Sequence, residues 1–202
     1  MKKYFKLFCF GFGQVAKQFT ENLIEKKYNF DLVTTNTTAT QTKELNNKKY
    51  KSYYFLDNKF DKDLLSELDS SNKILISISP KNGTDVVLKE FSHKFKKNKF
   101  DWVTYLSATS VYGNKEGAWV DEKTSTTPTS LRGIERLKAE NNWFKYYKDF
   151  KLPLQIFRLS GIYSNENNTL VRLKLGKAKI INKENHFFSR VHVEDIANIL
   201  FN

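Results

Sequence analysis

Residues 11–16 read Gly11-Phe12-Gly13-Gln14-Val15-Ala16, the spacing G-x-G-x-x-A, between an apolar run (4–10) and a segment with Val15, Phe19 and Leu23 on one helical face. A second apolar run, 29–34, follows. Runs of this length with period-four spacing between them read as strand, helix, strand. Gly11 permits the tight turn, Gly13 lets backbone approach a pyrophosphate, and Ala16 allows close helix–sheet packing, while the helix N-terminus offers free N–H groups to negative charge. Two glycines at such a turn can also be structural only. The βαβ context favours the phosphate reading and makes Gly11, Phe12, Gly13, Gln14 and Val15 candidate cofactor contacts.

The same alternation continues. Strands are expected at 50–55, 73–78, 102–106 and 154–159, and helices at 61–68, 85–95 and 130–147. The predicted fold class is α/β, a Rossmann-type doubly wound parallel sheet with helices on both faces and right-handed crossovers. At 202 residues with 40% apolar side chains, the chain suits a single NAD(P)-binding domain. Past Gly161 the pattern loosens into an Asn-rich loop, an amphipathic piece at 170–175, a candidate strand at 179–182, the segment 187–191 and a terminal helix 193–201. A chain that stops in mid-helix reads as cut short, so either a partner covers that helix or the sequence is a shortened relative of a longer protein.

Charge excludes less than its size implies. The formal charge is +12, but only five of the 34 cationic residues are Arg (132, 136, 158, 172 and 190). Lys abounds together with Asn, Phe, Tyr and Ile, all with A/T-rich codons, so base composition accounts for the basicity. No basic helix, zinc spacing or aromatic ribonucleoprotein motif accompanies it, and nucleic acid is not an expected partner. The only cysteine, Cys9, lies in an apolar run, which fits a reducing, cytoplasmic setting. No stretch approaches the ~20 apolar residues of a membrane span. No metal is expected, and His93, His186 and His192 read as non-catalytic.

The fingerprint anticipates an acid near the end of the second strand, on the adenosine ribose. Here that place reads Val33-Thr34-Thr35-Asn36, and Asp31 falls before it. Thr34, Thr35 and Asn36 can bond a 2′-phosphate with Lys43 supplying charge, or can form an ordinary polar loop. With both open, the cofactor reading is NADP or NAD, leaning to NADP.

Three further segments carry a family likeness: residues 105–113 (YLSATSVYG), 117–122 (GAWVDE) with Pro128, and 190–197 (RVHVEDIA). With the glycine turn they resemble the NAD-dependent epimerase/dehydratase family, the extended short-chain dehydrogenase/reductases, in its atypical branch. The resemblance covers nearly the whole chain in the family's order. It implies an oxidoreductase or epimerase acting on a small, nucleotide-linked or sugar-like substrate. It also implies cofactor contacts at Ser79, Pro80, Ser107, Ala108, Ser160 and Gly161, with the segment 158–163 (RLSGIY) lining the nicotinamide end, and a homodimer through the helix 130–147 and its neighbour. Residues 162–202 are the part that this likeness implies is a reduced or truncated substrate-binding part. Redox members use a Ser or Thr after the fifth parallel strand, and a Tyr followed four residues later by a Lys on the next long helix. Aligned on Val111-Tyr112-Gly113 and Leu137-Lys138-Ala139-Glu140, those places hold Ala108, Arg132 and Arg136. An Arg does not exchange protons near neutrality. Thr109 and Ser107 flank Ala108 and can take over its hydrogen bond. Tyr112 or Tyr163 can supply a phenol, though packing is the plainer role for both. Arg132 and Arg136 either fork onto an anionic group of the ligand or, for Arg136, form a surface pair with Glu140. Two functions follow: an oxidoreductase with unorthodox groups, or a non-catalytic dinucleotide-binding sensor or structural protein.

Overall fold

The structure is a computed structural model that describes residues 3–200 except 82, 98, 99, 181, 183, 185 and 186. Strand β1 (Phe5–Phe10) is central, and its side chains alternate between two cores. Leu7 and Cys9 join Val15, Phe19 and Leu23 of helix α1 (Gln14–Glu25), whereas Phe8 and Phe10 point to the opposite face. A strand buried on both faces has no polar side to show, which is why this run reads as continuous apolar sequence.

From β1 the sheet grows both ways. On one side lie β2 (Phe30–Asn36), then β4 (Lys48–Leu56), with β3 (Gln41–Leu45) at the edge and the short β5 (Lys59–Phe60) also pairing with β4. On the other lie β6 (Lys73–Ile76), β7 (Trp102–Ala108) and β8 (Leu154–Leu159). The pairs β1–β2, β2–β4, β1–β6, β6–β7 and β7–β8 are parallel; β3 and β5 pair antiparallel to β4. Helices α2 (Leu64–Ser70), α3 (Val86–Lys96) and α4 (Leu131–Phe150) bury Leu64, Leu68, Phe91, Phe95 and Trp143 against the Phe8/Phe10 face. The chain has the expected Rossmann-type α/β architecture.

Three parts differ from the sequence reading. No helix links β2 to β4. Residues 37–40 cross the end of β4 instead, and β3 returns as a hairpin through Asn46 (φ 47°) and Asn47 (φ 64°). Positive φ at both positions is the type I′ geometry that suits strand twist. Lys179, Ile180 and Asn182 are not in a strand, and Ile180 is almost wholly exposed; Ile181 lies outside the described residues, as do His186 and Phe201. The amphipathic piece forms helix α5 (Thr169–Lys174), with Leu170 and Leu173 exposed.

The terminal segment does pack. Strands β9 (Gly161–Tyr163) and β10 (Arg190–His192) form a small parallel pair leading into α6 (Val193–Ile199). Val193, Ile196, Ala197 and Leu200 are buried in the core shared with α1, and Asn22 Nδ2 donates to Asn198 Oδ1 at 3.2 Å. Ile199 stays half exposed.

Candidate functional site

The two glycines of the turn differ in kind. Gly11 has φ +80°, and a Cβ there would lie 2.8 Å from Ser77 Oγ and 3.1 Å from Ile78 Cγ1. Its amide donates to Thr35 Oγ1 at 2.8 Å. The fold itself requires this glycine. Gly13 is the N-cap of α1 in an extended conformation (φ −81°, ψ −172°) open to any residue, and a Cβ there would meet nothing within 4 Å. Neither backbone strain nor a steric clash calls for a glycine at 13, although glycine is a favoured N-cap residue. No side chain caps α1 and no acid occupies its first turn, so its leading N–H groups face outward without a counter-charge.

Beside this turn opens a cleft of about 320 Å³, lined by Gly11, Phe12, Gly13, Thr35, Asn36, Thr37, Lys43, Tyr50 and Ser52. The missing crossover helix leaves room for it, and Phe12 packs on Tyr50 at 5.3 Å between ring centroids. Among the described residues the lining holds no carboxylate. Thr34 is fully buried and does not line the cleft. Asn36 is occupied by the loop: its Oδ1 accepts from Thr38 N, Thr38 Oγ1 and Ala39 N, and its Nδ2 donates to Ala39 O, Ser52 O and Ser52 Oγ. Thr37, Tyr50 and Ser52 are lining residues the sequence reading missed.

A second group of candidates gathers where β6, β7 and β8 end under α4. Arg136 donates to Leu106 O at 2.5 Å and to Ser79 Oγ at 2.6 Å, with Ser79 exposed and Pro80 buried behind it. The anticipated Arg136–Glu140 pair does not form. Glu140, buried to 4% exposure, is held from both sides by Arg158 (Nε at 3.1 and 3.2 Å, Nη2 at 2.8 Å) and accepts Ser107 Oγ at 2.5 Å. A buried carboxylate needs a charge partner on the spot, and Arg158 on β8 supplies it where Arg136 is drawn away. Glu140 in turn raises the Arg158 pKa further, so that guanidinium stays charged.

This arrangement sorts the candidate acids. Ser107 is buried and its hydroxyl is spent on Glu140. Tyr112 is buried with the Arg158 guanidinium 4.9 Å from its ring centre. Ala108 ends β7 opposite Leu159, and Thr109 opens the 3₁₀ turn Thr109–Tyr112, partly exposed. Arg132 stands exposed one helical turn from Arg136. Tyr163 is 41% exposed and packs beside His192, whose Nδ1 lies 3.9 Å from Glu194 Oε2. Ser160 is partly exposed, and the Gly161 amide donates to Ser189 O at 3.1 Å. Under the cluster, Asp85 caps α3 through Val87 N (3.0 Å) and Leu88 N (2.9 Å) and accepts Trp143 Nε1 (3.0 Å). Burial raises its pKa against these bonds and the Arg136 charge. Among the described residues no His/Cys/Asp/Glu group is arranged to hold a metal, and no helix is long and apolar enough to cross a membrane.

Fold and glycine turn together define a Rossmann-type α/β protein with a cleft at the C-terminal ends of its strands. No family model matches the chain. A functionally unknown conserved protein of Silicibacter pomeroyi is 33% identical, superposes with a TM-score of 0.76, and is matched over 98% of this chain and 67% of that one. A dTDP-D-glucose 4,6-dehydratase of Dictyostelium discoideum is 31% identical over 147 residues, 60% of this chain and 33% of that protein. A dTDP-glucose 4,6-dehydratase of Bacillus anthracis, solved in complex with NAD, shares the fold with a TM-score of 0.75 at 16% identity, over 98% of this chain and 70% of that one. The chain shares its fold with NAD-dependent epimerases and dehydratases and is similar in sequence to part of one of them. The match spans a third or less of the curated relatives' length.

Proposed function

We propose that this chain is an NAD(P)-binding, epimerase/dehydratase-type oxidoreductase acting in the cytoplasm on a small, nucleotide-linked or sugar-like substrate. One observation carries the cofactor half of that reading: Gly13 has open space where its Cβ would be and an unstrained backbone, so neither strain nor a clash requires the glycine, whereas a pyrophosphate approaching the α1 amides would. The Gly13, Gln14 and Val15 amides at the start of α1 would hold the pyrophosphate. The cleft between Phe12, Thr35, Tyr50 and Ser52 would take the adenosine. Lys43 on the cleft wall, with no carboxylate lining it, favours the 2′-phosphate of NADP over the bare ribose of NAD. When bound, the cofactor supplies hydride transfer.

At the nicotinamide end, Ser79, Ala108, Thr109, Ser160 and Gly161 surround the substrate, and Ala108, Arg132 and Arg136 stand in for the usual Ser, Tyr and Lys. Thr109 is the hydroxyl best able to bond a substrate oxygen, because Ser107 is held by Glu140. Residues 162–202 contribute a reduced substrate-binding part to a single domain. The exposed side chains Leu131, Ile134, Phe144 and Tyr147 of α4 provide a face for a homodimer. A second reading, a dinucleotide-binding sensor or structural protein without turnover, draws support from the burial of Tyr112 and the engagement of Ser107. Calorimetry with NAD⁺ and NADP⁺ tests the first half: NADP⁺ binds more tightly, Lys43→Ala removes the difference, and absence of binding by either refutes it. A redox screen tests the second half. Only trace hydride transfer is expected with ordinary aldehydes, ketones and nucleotide-sugars, since losing a positioned general acid costs on the order of 10²–10⁴ in rate. Binding with no turnover at all favours the sensor.

A further inference from the structure

Glu140, Arg136 and Arg132 recur at intervals of four along one face of α4, above the ends of β6, β7 and β8. Their charges are compensated unequally. Glu140 is paired with Arg158. The arms of Arg136 rest on neutral acceptors, the Leu106 carbonyl and the Ser79 hydroxyl. Neighbouring acids are turned elsewhere: Glu135 Oε1 accepts Gly83 N at 2.8 Å, and Asp85 is bonded to α3 amides and the Trp143 indole. Arg132, the outermost of the three, is exposed and has neither a hydrogen bond nor an ion pair among the described residues. Two guanidinium groups four residues apart on one helix repel; Asp85 acts on Arg136 through space, but among the described residues no carboxylate forms an ion pair with either arginine. A planar fork with free donors matches the oxygens of a carboxylate or phosphate.

We propose that Arg132 and Arg136 form a receptor for an oxyanion, a carboxylate or phosphate, carried by the small molecule that meets the nicotinamide end of the cofactor beside the ends of β6, β7 and β8. Arg136, anchored by Ser79 and Leu106, supplies a fixed charge, and Arg132 supplies the fork that closes on the ligand. The substrate or effector is then an acid, held next to the Thr109 hydroxyl rather than protonated by α4. The inference takes from the cofactor reading only that the nicotinamide lies at this end of the sheet.

Five arginines give five Nε–H signals in a ¹⁵N-labelled sample, each assignable by its Arg→Lys variant. With the pyrophosphate site filled by saturating NADP⁺, the protein is titrated with inorganic phosphate and, separately, with malonate. The Arg132 and Arg136 signals should move together and saturate, while Arg172 on exposed α5 does not follow that curve. Arg132→Gln, at an exposed position, should weaken the stronger anion about tenfold or more with an unchanged melting temperature, and Arg132→Lys should fall between. The better of the two anions identifies the group recognised. An Arg132 signal that stays still, or drifts without saturating in step with Arg172, overturns the receptor. Saturation by phosphate in a protein that binds no dinucleotide would uphold the receptor and sink the cofactor reading instead.

Discussion

Replacing Gly13 by Val separates what the fold needs from what a ligand needs. At φ −81° and ψ −172° the backbone accepts a β-branched residue, and the new Cβ meets no atom within 4 Å. Losing a favoured N-cap residue should cost about 0.5–1 kcal/mol, a melting shift of about 1–4 °C for a chain of this size. Binding is another matter. A side chain at 13 holds the pyrophosphate off the leading amides of α1, and losing two charge-assisted hydrogen bonds at about 1.5–3 kcal/mol each removes about 3–6 kcal/mol. That is a rise in the NADP⁺ dissociation constant of about 10²–10⁴. Gly11→Ala is the control with the opposite signature. Its φ of +80° and the 2.8 Å approach to Ser77 Oγ predict about 2–5 kcal/mol of destabilisation and a melting temperature lower by about 5–15 °C. Calorimetric titration with NADP⁺ and thermal melts followed by circular dichroism read both quantities. An unchanged dissociation constant in Gly13→Val would refute the phosphate assignment. A melting temperature as low as that of Gly11→Ala would refute the argument from open space.

Glu140→Gln leaves the Arg158 guanidinium without its counter-charge; because Arg158 keeps 24% side-chain exposure, about 2 kcal/mol is expected rather than the 3–5 of a sealed pair. A thermal melt should fall by about 4–8 °C, and no fall would mean the pair contributes nothing net. Ile196→Ala should cost about 2–4 kcal/mol, as Ile196 is 1% exposed against α1, and hydrogen exchange across Val193–Ile199 should quicken; unaltered protection would detach α6 from the core. Burial and the neighbouring Glu67 push the Tyr53 phenol up to about 12. In the unfolded chain it ionises near pH 10. The folded state therefore binds the extra proton between those values, so stability is intact below pH 10 and declines toward pH 12. Tyr53→Phe should flatten that alkaline limb in urea melts, and an identical slope in the variant would exclude Tyr53 as its source.

Much of the sheet could be read from spacing because its central strands are buried on both faces, and the glycine turn falls where β1 meets α1. Strand β3 escaped notice for the converse reason: Gln41-Thr42-Lys43-Glu44 is exposed throughout, so no apolar alternation marks it, and only the Asn46-Asn47 turn hints at a hairpin. The cluster under α4 was legible as a list of residues but not as a set of partners. Helical spacing paired Arg136 with Glu140, a local rule that tertiary contacts overrode: Ser107, Glu140 and Arg158 lie on three elements and meet only when β7, α4 and β8 pack. The Thr34-Thr35-Asn36 run likewise gave residue types without destinations. Thr34 and Thr35 are both buried, Thr35 accepting from the Gly11 amide, and Asn36 organises the 37–40 loop.

Letting a hairpin do the work of a crossover helix also decides how one margin of the sheet meets other molecules. β3 is a five-residue edge whose outer backbone groups are unpaired, and an open edge of this kind templates strand addition by a second chain. Here the edge is short and carries Lys43 and Glu44, with Lys48 and Lys49 following across the turn. Another copy laid against it in register would bring like charges side by side along the new seam. Sheet-to-sheet growth is thereby discouraged at the edge where the cleft opens.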